Sequence, residues 1–440
     1  MHRRIGVVSA LAALLMSTSA RSQEATPILA AISAGTIAAV SDGDFVAETY
    51  ANGRLAPAEA NYRDVLTVMS LADGKLAMSQ IEVSNSVTAA PEIMQLTRDG
   101  RTAFVVERLA ARSDRAQTMR DLAPGKRLFA IDLTSKDAPR HAGAAEIEPF
   151  PEAMAVSPDG NRVAVVSNTP DASLLQIVRY ADGKFEVEAR IDLRNVGVSA
   201  DAAAGPRGGI TATNVQWHPS GNYLAINISS QNRIAFVEVS YGHVRAWGNV
   251  VDVGRDPYVG RFTPDGRYYI TSDWGRNLTE TAVEARIPAT PSQVSVIRFS
   301  AHAGVGHTRV ATAPSDLSAE GLAVSPDGRL IATVNMRTTA FPPASPRFRR
   351  EASVSLFSFD PDSGAIEKLG DTPFEGVLPE GGVFDLTGDH FLATVFQGHA
   401  GEKNAAGLEV FRVVKQDRPQ LIRLGRVALP HGVHQVDVAR

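Results

Sequence analysis

Cysteine is absent from the 440-residue chain, which excludes disulfide stapling, thiolate catalysis, Cys-ligated zinc, iron–sulfur clusters and covalent c-type haem. Neither sign of charge is in excess. Lys plus Arg number 44 against 48 for Asp plus Glu, a net charge of -4, and no basic block is present that could neutralise a run of phosphates, so nucleic acid is not an expected partner. Gly-x-Ser-x-Gly, the phosphate loop and His-Glu-x-x-His are also missing, which argues against serine-hydrolase, nucleotide and zincin chemistry. Aromatic residues are few, at 6%, but 44% apolar and 21% charged residues make a globular composition able to bury a large core.

Only one apolar run is long enough to notice. His2, Arg3 and Arg4 precede apolar residues 5–16 and the small stretch Thr18-Ser19-Ala20, the pattern of an export signal cleaved after Ala20. The run is shorter than the roughly 20 residues a bilayer span needs. The expectation is a leader over 1–20 and a single soluble periplasmic or secreted domain over 21–440. Loss of Arg3 and Arg4 leaves 42 basic against 48 acidic side chains, about -6.

Repetition dominates the rest. A turn phrase recurs as Leu-Thr-Arg-Asp-Gly ending at Gly100, Val-Ser-Pro-Asp-Gly at Gly160 and again at Gly328, Trp-His-Pro-Ser-Gly at Gly221, Phe-Thr-Pro-Asp-Gly at Gly266 and Asp-Leu-Thr-Gly at Gly388, with spacings of 60, 61, 45, 62 and 60. Each copy leads into a β-rich run such as Val163-Ala164-Val165-Val166. Pro presets φ, Asp bonds nearby backbone and Gly takes positive φ, as a tight turn between strands requires. A second hairpin follows, clearest around Ala181-Asp182-Gly183-Lys184, so each unit holds four strands, the makings of a propeller blade. About 420 mature residues at a period near 60 give seven units against six turn phrases. The seventh is predicted to be shared by the termini: residues 431–438 as its inner strand, and 36–41, 45–50 and 65–71 as the outer three. The expected fold is an all-β, seven-bladed propeller of four-stranded antiparallel blades, closed without an open edge.

Phrases such as Ala155-Val156-Ser157-Pro158-Asp159-Gly160 and Phe262-Thr263-Pro264-Asp265-Gly266 resemble the repeats of the YVTN and lactonase-type seven-bladed propellers, over nearly the whole mature chain. The resemblance implies the architecture; propellers with this phrase include lactonases, muconate-lactonising enzymes, haem-bearing periplasmic domains and binding proteins. As a lactonase-like protein it would hold a small lactone or organic acid, with His431 or a neutral glutamate moving the proton and Arg337 and Arg108 binding carboxylates. Those propellers tend to carry Pro-His and Pro-Arg-His steps at several blade starts, whereas here only Pro430-His431 matches and glutamates replace the others.

Blade topology places the turn phrases on one face. The long connections 110–126, 275–292, 337–352, 397–407 and 195–212 fall on the other, which is the candidate site because scaffolded loops carry function. Eight residues before each turn glycine stand Glu92, Glu152, Thr213, Tyr258, Glu320 and Glu380, with His431 as their counterpart in the closing blade. Four carboxylates and an imidazole are thus expected around the channel mouth. Three readings stay open for them: backbone capping repeated because the blades repeat, raised pKa values suited to acid/base work, or a cation such as calcium. Candidate catalytic residues are His431, Glu320, Glu380 and Glu152; candidate binding residues are Glu92, Arg108, Asn168, Tyr258, Asp273, Asn335 and Arg337, several of them at the ends of the second strands. Arg337 heads the stiff loop Phe341-Pro342-Pro343-Ala344-Ser345-Pro346 that leads to Arg347, Arg349 and Arg350, either a solvated loop or a forked cation for a carboxylate or phosphate. His431 and His434, three apart on a strand, make a poor metal pair, and His218 is read as a turn cap. Two classes of function remain: a lactonase-like hydrolase or isomerase, and a non-catalytic periplasmic propeller that binds a partner, polymer or cofactor.

Overall fold

The computed structural model describes residues 27–72, 75–86, 92–201, 206–240, 242–402 and 405–440; the leader expected over 1–20 and Pro91 lie outside them. Among the described residues twenty-nine strands form seven antiparallel sheets. Six follow chain order, as in Pro151–Val156, Arg162–Asn168, Ser173–Ala181 and Lys184–Asp192, and the innermost strands touch one another in ring order. The seventh joins the chain ends: Val433–Ala439 pairs with Thr36–Ser41, followed by Val65–Ala72 and Lys75–Glu82. One sheet carries a fifth strand, Val251–Asp252, beside Arg233–Ser240. Burial falls from inside to outside: every residue of Pro151–Val156 is buried, whereas Lys184–Asp192 has none buried. The apolar core therefore lies between blades, where neighbouring sheets press their faces together.

The turn phrases form as their composition demands, with one addition. Asp159 accepts the Asn161 N–H at 3.1 Å and the Ser157 hydroxyl at 2.5 Å, while that hydroxyl oxygen accepts the Arg162 N–H at 2.9 Å. The same Ser/Thr–Asp clasp recurs at Thr97–Asp99, Thr263–Asp265 and Ser325–Asp327, so the residue before proline is part of the turn. Gly160 has φ 75°, a region costly to residues with a Cβ. His218 does cap its turn, against Ser220, and also meets the Gly266 carbonyl of the next blade.

One expected strand is not a strand. Residues 45–50 belong instead to a long connection between Thr36–Ser41 and Val65–Ala72, and Lys75–Glu82 supplies the outer strand. The Asp42 carboxylate accepts the N–H groups of Asp44 and Phe45 at 2.7 and 3.1 Å, and a short helix follows at Thr49–Asn52. Local Asx bonding thus captures backbone donors that a ladder would have needed.

Candidate functional site

At the loop-bearing end of the channel the backbone departs from regular pairing at the same place in several blades. The inner strand bulges at Glu152, at Thr213, at Tyr258 with Val259, and at Glu320. Two residues upstream of Glu152, Tyr258, Glu320 and Glu380, the chain passes through left-handed φ at Phe150 (56°), Asp256 (58°), Ser318 (58°) and Leu378 (50°). None is glycine, so each costs of order 1–3 kcal/mol. A bulge re-aims the side chain it carries, and repeated bulges turn a ring of strand starts into a ring of convergent side chains. Glu380 is held off the ladder differently: its N–H and that of Gly381 both donate to Thr394 Oγ1, at 3.2 and 2.9 Å.

The convergent groups sort by charge partner. Glu152 pairs with Arg108 at 3.1 Å, and the Arg108 guanidinium lies 5.3 Å from the centre of the Phe150 ring. Glu320 and Glu380 are 1% and 2% exposed. Burial pushes the Glu320 carboxyl up to about 8, with Arg276 pulling it down and Asp256 up. Burial, then the charges of Glu320 and Asp42, holds Glu380 well above the usual carboxylate range. Burial thus disfavours the charged form of both. Glu380 Oε2 makes no hydrogen bond among the described residues, an orphaned buried polar atom of the kind that calls for an explanation. Tyr258 is fully buried, and its phenol is raised by burial and next by Glu320.

Arg276 and Asp256 complete the cluster and were not picked out from the sequence. Arg276 Nε donates to Asp256 Oδ2 at 2.7 Å and Nη2 to Oδ1 at 3.2 Å, while its guanidinium lies 4.0 Å from the Trp274 ring centre and 4.5 Å from that of Tyr258. The signal that could have found it is an arginine two residues after Trp274 and opposite an aspartate two before a counted-back position.

Other candidates go elsewhere. His431 turns away from the acids: its ring bonds the Phe45 carbonyl at 2.8 Å and stacks on Tyr62 at 3.8 Å, and burial lowers its pKa. The Asp42 turn presents that carbonyl, and a neutral Nε2–H donates to it. Glu92 is bound by Arg261, reaching from another blade, at 2.8 Å. The two line a cavity of about 240 Å3 inside the channel, bordered by the turn residues Pro219, Pro264 and Pro326, so the turn face is less closed than its short hairpins imply. Asn335 is spent on Ser315, Ser353 and Ser355 within its blade. Asp273 meets Ser295 and the Gly254 N–H, with burial raising it to about 7. Asn168 ties Ala212 of the next blade and lies 3.4 Å from Glu152. Arg337 is 3.4 Å from Asp316.

The loops interlock over this face. Leu55 N–H bonds Gln117 O and Ala47 N–H bonds Gln397 Oε1, both at 2.9 Å. Arg347 donates to the carbonyls of Glu284, Ile287 and Pro288, and Arg350 pairs with Glu402. The arginine-rich loop is a strut between connections, not a free fork. Off the axis, Asp42, Asp44 and Asp64 bring carboxylate oxygens within 4.8 Å of one another, the one such group among the described residues with a cation-holding arrangement. Ser86 Oγ donates to Asp44 at 2.6 Å and Asp64 at 3.1 Å, and burial, then Asp44, raises Asp64 to about 7. Among the described residues no helix is long and apolar enough to cross a membrane.

No family model matches the chain, and no curated protein matches it in sequence. Solved structures do. The periplasmic gluconolactonase of Pseudomonas aeruginosa is 16% identical, with a TM-score of 0.62 over 92% of this chain and 99% of that one. A Bacteroides fragilis protein with a provisional 6-phosphogluconolactonase assignment gives 13%, 0.62, 92% and 98%. A protein of unknown function from Desulfotomaculum acetoxidans gives 14%, 0.59, 86% and 96%. At these identities the likeness is one of fold: the architecture is a seven-bladed propeller.

Proposed function

We propose that the protein is an exported, lactonase-like propeller that hydrolyses a small lactone at the axial end of its channel. The observation that carries this reading is the bulge and left-handed kink repeated at Glu152, Tyr258 and Glu320, with burial pushing the Glu320 and Glu380 carboxyls towards the neutral form. Strain repeated at one position and acids tuned towards neutrality belong to reaction sites more than to frameworks. The lactonase names of two structural neighbours and the leader-like pattern of residues 1–20 support substrate class and export.

In this reading the ionised fraction of Glu320 takes a proton from water as the water oxygen bonds to the lactone carbonyl carbon. The ring C–O bond breaks, and Glu380 gives its proton to the departing alkoxide. The product is a hydroxy acid, which loses its carboxyl proton to solvent, and the proton on Glu320 returns to Glu380 through solvent. Arg108, two of whose buried nitrogens are unpartnered among the described residues, faces the carbonyl oxygen as charge develops on it. The interlocked loops must part to admit substrate.

The test is hydrolysis of a panel of aldonolactones and muconolactones by the mature protein, with calcium and with chelator, beside Glu320→Gln/Glu380→Gln. Turnover that is abolished in the folded double variant and indifferent to chelator supports the reading. The interlocked loops favour one other function, a non-catalytic face that docks a periplasmic partner; no turnover of any lactone would leave that one standing.

A further inference from the structure

Arg261 and Glu92 belong to opposite sides of the ring. Between Met94–Leu96, the inner strand just after Glu92, and Pro257–Phe262, which carries Arg261, stand the inner strands Pro151–Val156 and Ala212–Trp217 in one direction. In the other direction stand Val433–Ala439, Gly382–Phe384 and Ala319–Val324. The 2.8 Å bond between the two side chains is therefore a bar across the channel, and Arg261 Nη1 is held as well by the Gly260 carbonyl at 3.0 Å. The cavity of about 240 Å3 lies between this bar and the turn residues Pro219, Pro264 and Pro326, and none of Glu152, Tyr258, Glu320 and Glu380 lines it.

Its wall has a register. Gln95, Gln216, Arg261, Ala323 and Val383 each stand five residues before a turn glycine, and all five line the cavity. The polar groups around it are spent on neighbouring backbone, with one exception. Gln95 Oε1 accepts the Val156 N–H of the next blade at 2.7 Å. Gln435, in the closing strand, accepts the Ile93 and Met94 N–H groups at 2.8 Å and donates to the Met94 carbonyl at 2.6 Å. Asp437 accepts from Leu96 at 2.9 Å and Val438 at 2.8 Å. Gln216 shares the offset of Gln95 but makes no such tie: it is 8% exposed, lines the cavity, and its amide has no hydrogen bond among the described residues. A buried amide left without a partner is unfavourable and asks what fills the space in front of it.

We propose that this turn-side cavity is a binding site for a small neutral polyol, held by the Gln216 amide. Charge selects a neutral ligand. Arg261 is matched by Glu92, and both Asp437 oxygens are taken by N–H groups, so an anion or a cation finds no unmatched counter-charge. The amide both donates and accepts, and a hydroxyl answers it in both directions. The volume lies below the roughly 300–1,000 Å3 of drug-sized sites and far above the ~30 Å3 of one water, which suits a molecule of monosaccharide size. Ala323 and Val383 complete the wall with short apolar side chains, and Trp217 and Phe262 add rings for the C–H edges of the ligand. The site does not depend on the hydrolase reading, because the bar separates it from the acids at the loop-bearing end.

Calorimetric titration of the full-length mature protein with xylitol and with myo-inositol tests this, below the molar concentrations at which polyols act on proteins by exclusion. Saturable binding of at least one of them in the millimolar range is expected. Gln216→Met keeps the stem and removes the amide; it should weaken binding about tenfold or more, the loss of one or two hydrogen bonds, and should unfold in urea at the parent midpoint or above it. Glu320→Gln/Glu380→Gln should bind the polyol as the wild type does, whether or not it hydrolyses a lactone. If Gln216→Met does not fold, Ala323→Leu fills the cavity from its apolar side and should abolish binding. A cavity that holds only water shows no saturable binding of either polyol, and that result would overturn the proposal. So would unchanged affinity in Gln216→Met, loss of binding in the double glutamate variant, or tighter binding of acetate or ethylammonium than of the polyols.

Discussion

Replacing Glu320 with glutamine should stabilise the protein, and more so as pH rises. Glutamine imitates the neutral acid that burial imposes in the fold and cannot ionise in the unfolded chain. The sign follows from linkage: the folded pKa, about 8, lies above the ordinary 4.5, so the wild-type carboxyl favours folding fully below about pH 4.5 and loses that contribution as pH rises to about 8. At about 1.4 kcal/mol per pH unit, the cost avoided by the variant is near zero at pH 4, ~3 kcal/mol at pH 7 and ~5 kcal/mol above pH 8. These are ceilings, because Glu320 titrates with Glu380 and the pair shares the penalty. Urea unfolding of both proteins at pH 4.5, 6, 7 and 8.5 reads the difference directly. A gap that widens steadily in favour of the variant is expected. A variant that is less stable at every pH, by an amount that does not change, would refute the reasoning, since it would mean that the glutamate is ionised and paired in the fold.

Glu409 has no exposed side-chain surface and binds Arg426 at 2.7 Å and the half-exposed Arg423 at 2.5 Å; Glu409→Gln should cost about 1.5–3 kcal/mol in urea unfolding, the range of a hydrogen bond to a charged group, because solvent takes up part of the loss at Arg423. Removal of residues 433–440 takes away the strand paired with Thr36–Ser41 and should abolish cooperative unfolding by circular dichroism, because the ring is then held only by packing. Asp64 accepts the N–H groups of Gly43 and Asn85 and is raised to about 7 beside Asp44. Its proton is lost as pH rises through that value, leaving two carboxylates in repulsion. Exchange at the Gly43 and Asn85 amides, corrected for intrinsic rates, should therefore speed up between pH 6 and 8.

The architecture was legible because the propeller repeats its local chemistry. Turns that end in glycine are set by φ and side-chain bonding within a few residues, so six copies announce six hairpins, and the count of residues per copy requires the seventh from the termini. The position of Glu152, Tyr258 and Glu320 near the start of an inner strand was legible in the same way, as a fixed offset from a turn. Four features escaped. Residues 45–50 carry the β-prone Phe45, Val46, Thr49 and Tyr50, but Asp42 draws the N–H groups of Asp44 and Phe45 into a local turn. His431 shares the offset, yet the loop carbonyl that captures its ring comes from residues 386 positions away in sequence. Arg276 sits in an irregular connection with no period to mark it. The left-handed kinks at Phe150, Asp256, Ser318 and Leu378 were hidden because none of them is glycine. Only the surrounding blade, not the residue, dictates that conformation.

The most direct test of the account is the pH dependence of kcat/KM for the best lactone of the panel, measured for the wild type and for Glu320→Gln and Glu380→Gln singly. The account predicts a wild-type rate that climbs towards a limb near pH 8 and activity lost by at least a hundredfold in each folded variant, about what removal of a general acid or base costs. Wild-type activity in either variant, or a profile flat from pH 6 to 9, would contradict it.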